Sequence, residues 1–370
     1  MDPCKIAQRM GRIDASGIRK VFDLAAKMTD PINLSIGQPD FDVPKPLKEK
    51  AIEAIRSGMN RYTQTQGTAE LREAIAASCA EEFGWSDAAD RPYLVTSGVS
   101  GALLLSLLTL VDPGDEVVFA DPYFVMYEHL VNLVGGVPVM VDTYPDFTPD
   151  PQKFAEAITP RTRMVIINSP ANPTGRVYSE QELREIAAIA EKHDLLVVSD
   201  EIYDEFCYDG PFVSMAEIYP RTLLMRGFSK SFAMTGWRIG WCTGPREILE
   251  KMTMLQQYSF VCAPSMAQAA AVEAMQFDVS PYREEYRRKR DMVQDALGES
   301  MGLIRPGGAF YAFVPAPGGD ATAFVTRAIE QNVLIIPGSV FSTKDTHFRI
   351  SYATDDEVLK KGLDILNSLA

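Results

Sequence analysis

Lys230 stands in the run Gly227-Phe228-Ser229-Lys230-Ser231-Phe232-Ala233-Met234-Thr235-Gly236-Trp237-Arg238, with an arginine eight positions after it. A lysine amine is a useful nucleophile only when burial or a nearby cation lowers its pKa. Arg238 can supply that charge while binding an anion, so the pair suits a carbonyl cofactor that carries a phosphate. Asp200, in Ser199-Asp200-Glu201-Ile202-Tyr203, follows the apolar pair Val197-Val198. A carboxylate at that point can ion-pair with a protonated heterocyclic nitrogen, although aspartate is equally at home as a helix N-cap. Tyr203 can hydrogen-bond a phenolate oxygen, or it can be a core tyrosine with its hydroxyl at the surface.

Three further segments carry possible contacts. Asn168-Ser169-Pro170-Ala171-Asn172-Pro173-Thr174-Gly175 holds two closely spaced X-Pro bonds. These force an extended or turning backbone, with a cis bond possible at either, and would fix Asn172 rigidly. Thr96-Ser97-Gly98-Val99-Ser100-Gly101-Ala102 joins a strand to a helix, where free N–H groups and the helix dipole can hold a phosphate. It has neither the Walker lysine pattern nor G-x-G-x-x-G, which speaks against a nucleoside triphosphate or a dinucleotide. Phe124, in Asp121-Pro122-Tyr123-Phe124, can stack on a flat ring or sit in the core. His129, His193 and His347 are isolated, so no zinc site is expected. Arg19 falls off the helical apolar face of Ile18, Val21, Phe22 and Ala25 and reads as a solvated arginine.

These residues need a frame. Apolar runs at Tyr93–Thr96, Val117–Phe119, Val137–Val141, Met164–Ile167, Leu195–Val198, Leu223–Met225 and Ile239–Cys242 alternate with helical stretches. The stretches run from about Gly101 to Leu110, Met126 to Val134 and Ser179 to Lys192. Uniformly apolar strands between helices imply a sheet buried on both faces and mostly parallel. Such sheets bind ligands at the carboxyl ends of their strands. From about Val272 the pattern changes to a charged helix at Pro281–Leu297, strands at Gly308–Val314, Val333–Ile336 and Phe348–Tyr352, and a helix from near Asp355. The expected division is a segment 1–40 that packs with the end of the chain, a large domain at 41–271 and a small α+β domain at 272–370.

The chain has 370 residues, 46% apolar and 23% charged, as in an ordinary globular protein. Its 36 basic and 50 acidic residues leave a net charge of −14, unsuited to nucleic acid or an anionic membrane. Met1 to Lys20 lacks an apolar core, so no secretory peptide is expected. Ala102 to Val111, the longest apolar run, is too short to span a bilayer. Cys4, Cys79, Cys207, Cys242 and Cys262 form no C-x-x-C pair and read as reduced thiols of a cytoplasmic protein.

In their order along the chain, these segments resemble the fold-type I, class I/II aminotransferases that use pyridoxal 5′-phosphate. The likeness runs from Asn33-Leu34-Ser35-Ile36-Gly37-Gln38-Pro39-Asp40-Phe41 to Phe348-Arg349-Ile350-Ser351-Tyr352-Ala353. It implies a large domain with a seven-stranded, mostly parallel sheet between helices and a smaller α+β domain made of both termini. It also implies that Lys230 bonds the cofactor's aldehyde carbon and later moves the substrate's proton. Asp200 would keep the pyridine nitrogen protonated. Tyr203 and Asn172 would bond the ring oxygen, and Phe124 would stack on the ring. Val99, Ser100, Ser229 and Arg238 would hold the phosphate, with Tyr62 reaching the partner subunit's phosphate. Arg349 would clamp the substrate α-carboxylate with Asn172 and the backbone of Gly37 alongside. No metal is implied, and the working unit would be a homodimer with shared active sites.

The substrate side chain is less constrained. Dicarboxylate-selective members place an additional cation near it, and the loop at Ser100 holds no lysine. Ile18, Tyr62 and the partner subunit's Ser259 to Pro264 would shape a neutral or apolar pocket. That favours aromatic or medium apolar amino acids, with aspartate kept open and 2-oxoglutarate as the family's default acceptor. Two alternatives share the motifs: a C–S β-lyase of the same fold, and a non-catalytic binding or regulatory protein.

Overall fold

The computed structural model describes residues 6–15, 17, 18, 21, 26 and 28–370. Cys4, Arg19, Phe22 and Ala25 lie outside the described residues. The strands are β1 (Ile32–Asn33), β2 (Tyr93–Thr96), β3 (Glu116–Asp121), β4 (Val137–Asp142), β5 (Thr162–Asn168), β6 (Leu196–Asp200), β7 (Thr222–Gly227) and β8 (Gly240–Thr243), then β9 (Tyr311–Pro315), β10 (Val333–Leu334), β11 (Ile336–Pro337) and β12 (His347–Ser351).

Seven of them form one sheet in the order β2-β8-β7-β6-β5-β3-β4. Pairing is parallel from β7 through β4, and β8 runs antiparallel to both of its neighbours. Strand alternation sends Val117 and Phe119 into one core and Val118 into another, so both faces of the sheet are covered. The fold is therefore α/β, as the uniformly apolar runs predict. At β6 the same alternation separates two acidic neighbours. Asp200 faces the cavity described below. Glu201, equally buried, bonds Ser199, Ser214 and Arg226, and Arg226 is also bound by Glu82 and Asp204.

The last hundred residues add an antiparallel sheet in the order β11-β12-β9, backed by the helices Ser280–Met301, Ala321–Glu330 and Asp356–Leu369. β1, from the N-terminal part, pairs in parallel with β10. The expected single strand Val333–Ile336 is in fact two. Val333 and Leu334 pair with Ile32 and Asn33, whereas Ile336 pairs with Arg349. All four residues are fully buried, so an unbroken apolar run hides the change of partner. Several boundaries also differ from expectation. The helix expected from Gly101 starts at Gly98, and the strand expected from Gly308 starts at Tyr311 because Gly308 bridges Cys207. The short 3-10 turn Gln8–Arg12 is exposed throughout. Among the described residues, no helix is long and apolar enough to cross a membrane. The four described cysteines are free.

Candidate active site

Five connections leave the sheet at the carboxyl ends of parallel or flanking strands and meet around one cavity of about 640 Å³. β6 delivers Asp200, β5 delivers Asn168 and the loop to Asn172, and β7 leads to Ser229 and Lys230. β2 leads to Val99 and Ser100, and β3 leads to Phe124. Arg238 precedes β8. Arg349 arrives from the central strand of the small sheet, and Gly37 follows β1. The cavity thus gathers Lys230, Asp200, Tyr203, Asn172, Phe124, Val99, Ser100, Ser229, Arg238, Arg349 and Gly37, as expected from the sequence. Tyr62 is not among its walls and is 84% exposed.

Among the described residues Lys230 has no carboxylate partner. Its Nζ donates to the carbonyl of Gly37 at 2.6 Å. Burial, reinforced by the charges of Arg349 and then Arg238, pushes its pKa down to about 8 against the opposing pull of Asp200. Burial therefore does more than Arg238, and the larger cationic effect comes from the arginine of the other sheet. An amine that deprotonates near neutrality is a competent nucleophile and base.

Asp200 is buried at the floor of the cavity. Its Oδ2 accepts from the Tyr127 hydroxyl at 2.7 Å and its Oδ1 from the Ile202 amide at 3.3 Å. Burial pushes its pKa up to about 6, and those two hydrogen bonds pull the other way. A cation placed against it would be stabilised, and the carboxylate with it. Asn168 ties the floor together: its amide donates to the Asp200 carbonyl at 2.9 Å, and its oxygen accepts from the Asn172 backbone at 2.8 Å. Both X-Pro bonds of that loop are cis.

Arg349 is 1% exposed yet faces no carboxylate among the described residues. Nη1 donates to Asn172 Oδ1 at 3.0 Å, Nη2 to the Ser35 carbonyl at 2.8 Å, and the buried Nε has no partner among the described residues. The rings of Tyr311 and Phe341 lie 4.4 and 4.6 Å from its guanidinium carbon. A buried guanidinium held only by neutral acceptors keeps an uncompensated charge that suits an anion. Because Arg349 occupies the Asn172 oxygen, the Asn172 NH2 is the group left to donate to a ligand. The Tyr203 hydroxyl is buried and shares a hydrogen bond of 2.9 Å with that of Tyr311.

At the other end Arg238 donates from Nη2 to Ser100 Oγ at 2.8 Å and from Nη1 to the Thr235 carbonyl at 2.8 Å. It lies beside the N-terminus of the helix Gly98–Leu110, which carries free amides and the positive end of the helix dipole. Gly98 has φ +68, and a Cβ there would come within 2.7 Å of Arg238 Nη2. A Cβ would make the flexible end of Arg238 shift, and the positive φ strains any residue but glycine at this point.

Sequence reasoning missed Tyr127 and Tyr311. Tyr127 belongs to an amphipathic helix far along the chain from Asp200, and Tyr311 to an apolar run read only as a strand. Nothing local marks either one. The residues present fit pyridoxal phosphate: an amine without an ion partner, a buried acid, an anion cradle closed by Gly98, and an arginine with an unpaired donor. Among the described residues no group of three or more His, Cys, Asp or Glu could hold a metal.

Comparison with known proteins agrees with this geometry. Residues 29–366 match the family model for aminotransferase class I and II. The chain is 39% identical to an aromatic-amino-acid aminotransferase of Thermococcus litoralis, covering 97% of this chain and 96% of that one. It is also 39% identical to the aspartate/prephenate aminotransferase of Thermus thermophilus, over 93% and 92% of the two chains. The structure of a Thermus thermophilus aspartate aminotransferase with maleate superposes with a TM-score of 0.94 at 37% identity, covering all of both chains.

Proposed function

Because the chain belongs to the class I and II aminotransferases, we propose that its amino donor is an aromatic or medium apolar L-amino acid, with aspartate as a second donor and a 2-oxo acid such as 2-oxoglutarate as acceptor. The protein is an aminotransferase of fold type I and its cofactor is pyridoxal 5′-phosphate. The full-length relatives reported above are named as aminotransferases, so neither the C–S lyase nor the non-catalytic reading is favoured. The name of the Thermococcus litoralis relative and the absence of a lysine beside Ser100 support the aromatic reading.

When bound, the cofactor supplies an electrophilic carbon and a ring that accepts the electrons released at the substrate's α-carbon. This chain's residues do the rest. Ser100, Ser229, Arg238 and the Val99 amide hold the phosphate. Asp200, steadied by Tyr127, keeps the ring nitrogen protonated, and Tyr203 and Asn172 bond the ring oxygen. Phe124 covers the ring face. Arg349 takes the substrate carboxylate with its guanidinium, next to Asn172 and Gly37. Lys230 would hold the cofactor through its amine and, as a free base, would move the substrate's α-proton. The product 2-oxo acid leaves before the acceptor enters, so the kinetics are ping-pong. We also assign the protein to the cytoplasm as a homodimer in which Tyr62 and the region Ser259 to Pro264 serve the neighbouring subunit. Residues 41–271 form the cofactor-binding domain, with 1–40 joined to the small domain 272–370.

The observation that carries this reading is one cavity holding an amine of lowered pKa, a buried acid and two arginines placed to receive anions. The test is an amino-donor screen with the loaded enzyme and no acceptor. Aromatic donors are expected to yield one 2-oxo acid per subunit. Formation of pyruvate and ammonia from sulfur amino acids, without stoichiometric transfer, would overturn it.

A further inference from the structure

His129 lines the cavity one helical turn after Met126, on the helix Met126–Val134, and none of the contacts described above uses it. Its Nδ1 is buried with no hydrogen-bond partner among the described residues. In a neutral imidazole one nitrogen carries the proton and the other a lone pair. A sealed N–H without an acceptor costs more than a sealed lone pair. The proton is therefore assigned to Nε2, the ring nitrogen that is not among the sealed, unpartnered atoms. The cavity wall thus presents a hydrogen-bond donor among the apolar groups Ile13, Ile18, Leu103 and Met126.

We propose that His129 selects amino acids whose side chain is an apolar body ending in a neutral acceptor, namely the 4-hydroxyphenyl class, by donating from Nε2 to the phenol oxygen. This rests on the aromatic-donor reading. A side-chain carboxylate is the other acceptor that such a wall could meet. Among the described residues the cations lining the cavity are Lys230, Arg238 and Arg349, all assigned to the cofactor or the α-carboxylate, and Asp14 on the wall adds a negative charge. A second carboxylate would find no cation of its own among the described residues, whereas a phenol needs only the donor.

The experiment compares kcat/KM for L-tyrosine and L-phenylalanine in the wild type, His129→Phe and His129→Gln, the glutamine keeping an N–H near the same place. The wild type is expected to favour tyrosine, and His129→Phe to lower the tyrosine-to-phenylalanine ratio about tenfold, the size one neutral hydrogen bond supports. His129→Gln should restore most of that ratio. Independently of either variant, the wild type should bind 3-(4-hydroxyphenyl)propanoate about tenfold more tightly than 3-phenylpropanoate. Turnover of both amino acids with a ratio unmoved by His129→Phe, or equal binding of the two propanoates, would overturn the role of His129 alone. Turnover of neither amino acid would overturn the aromatic-donor reading beneath it.

Discussion

At the scale of single residues, the site holds two ionisable groups away from their ordinary protonation, and each does so at a cost in stability. Asp200 is the clearer case. Its carboxyl titrates near 6 in the folded chain against an ordinary 3.8, so the folded state binds its proton more tightly than the unfolded state does. The penalty for ionising it is absent below about pH 4, grows between about 4 and 6, and is complete above that. Asp200→Asn should therefore make the cofactor-free protein more stable at pH 8, by on the order of 3 kcal/mol for a fully buried group shifted about two units. The gain should shrink as pH falls toward 4. Denaturant titrations at several pH values measure this, and a variant no more stable than wild type at pH 8 would count against it. The same substitution should remove activity, because the ring nitrogen loses its ion partner. Lys230 is displaced in the opposite sense, toward its base form, by burial and two arginines.

Among the elements, the helix that begins at Gly98 bears most directly on cofactor retention. Its N-terminus, Arg238 and Ser100 form one cradle, and Gly98 sits where a Cβ would strike the guanidinium. Gly98→Ala is expected to weaken cofactor binding at least tenfold and to cost about 1–2 kcal/mol of stability from the positive φ alone. Equilibrium dialysis against pyridoxal phosphate and thermal unfolding read the two effects separately. An alanine variant that retained cofactor like the wild type would contradict the cradle. The element scale also shows what sequence could convey. Apolar runs identify β2 to β8, because all but the edge strand β4 are buried on both faces. They do not identify the hand-over at Leu334–Ile336, where two sheets bury one continuous run. The loop motifs placed Asn172, Asp200, Lys230 and Arg238 at one site because each lies at a strand's end. Tyr127 and Tyr311 act through contacts distant in sequence, Tyr127 with Asp200 and Tyr311 with Tyr203. No local pattern encodes such a pair.

Across the whole molecule, the cavity is built from both ends of the chain: Gly37 and Arg349 are brought in by the sheets that flank the large one. Tyr62 and Tyr258 are 84% and 85% exposed, large aromatic groups that a second copy would cover. If Tyr62 serves the neighbouring site, Lys230→Ala and Tyr62→Ala subunits, each poorly active alone, should complement when unfolded together and refolded. Random pairing makes half of the dimers hybrids with one intact site each, so about a quarter of wild-type activity should return. No recovery would place Tyr62 outside the partner's site. The proposed reaction depends on one bond between cofactor and chain. Borohydride reduction of the loaded enzyme fixes the cofactor to whichever amine holds it, and peptide mass spectrometry then locates it. The added mass is expected on the peptide containing Lys230 and on no other. Label on a different lysine, or none at all, would contradict the account at its centre.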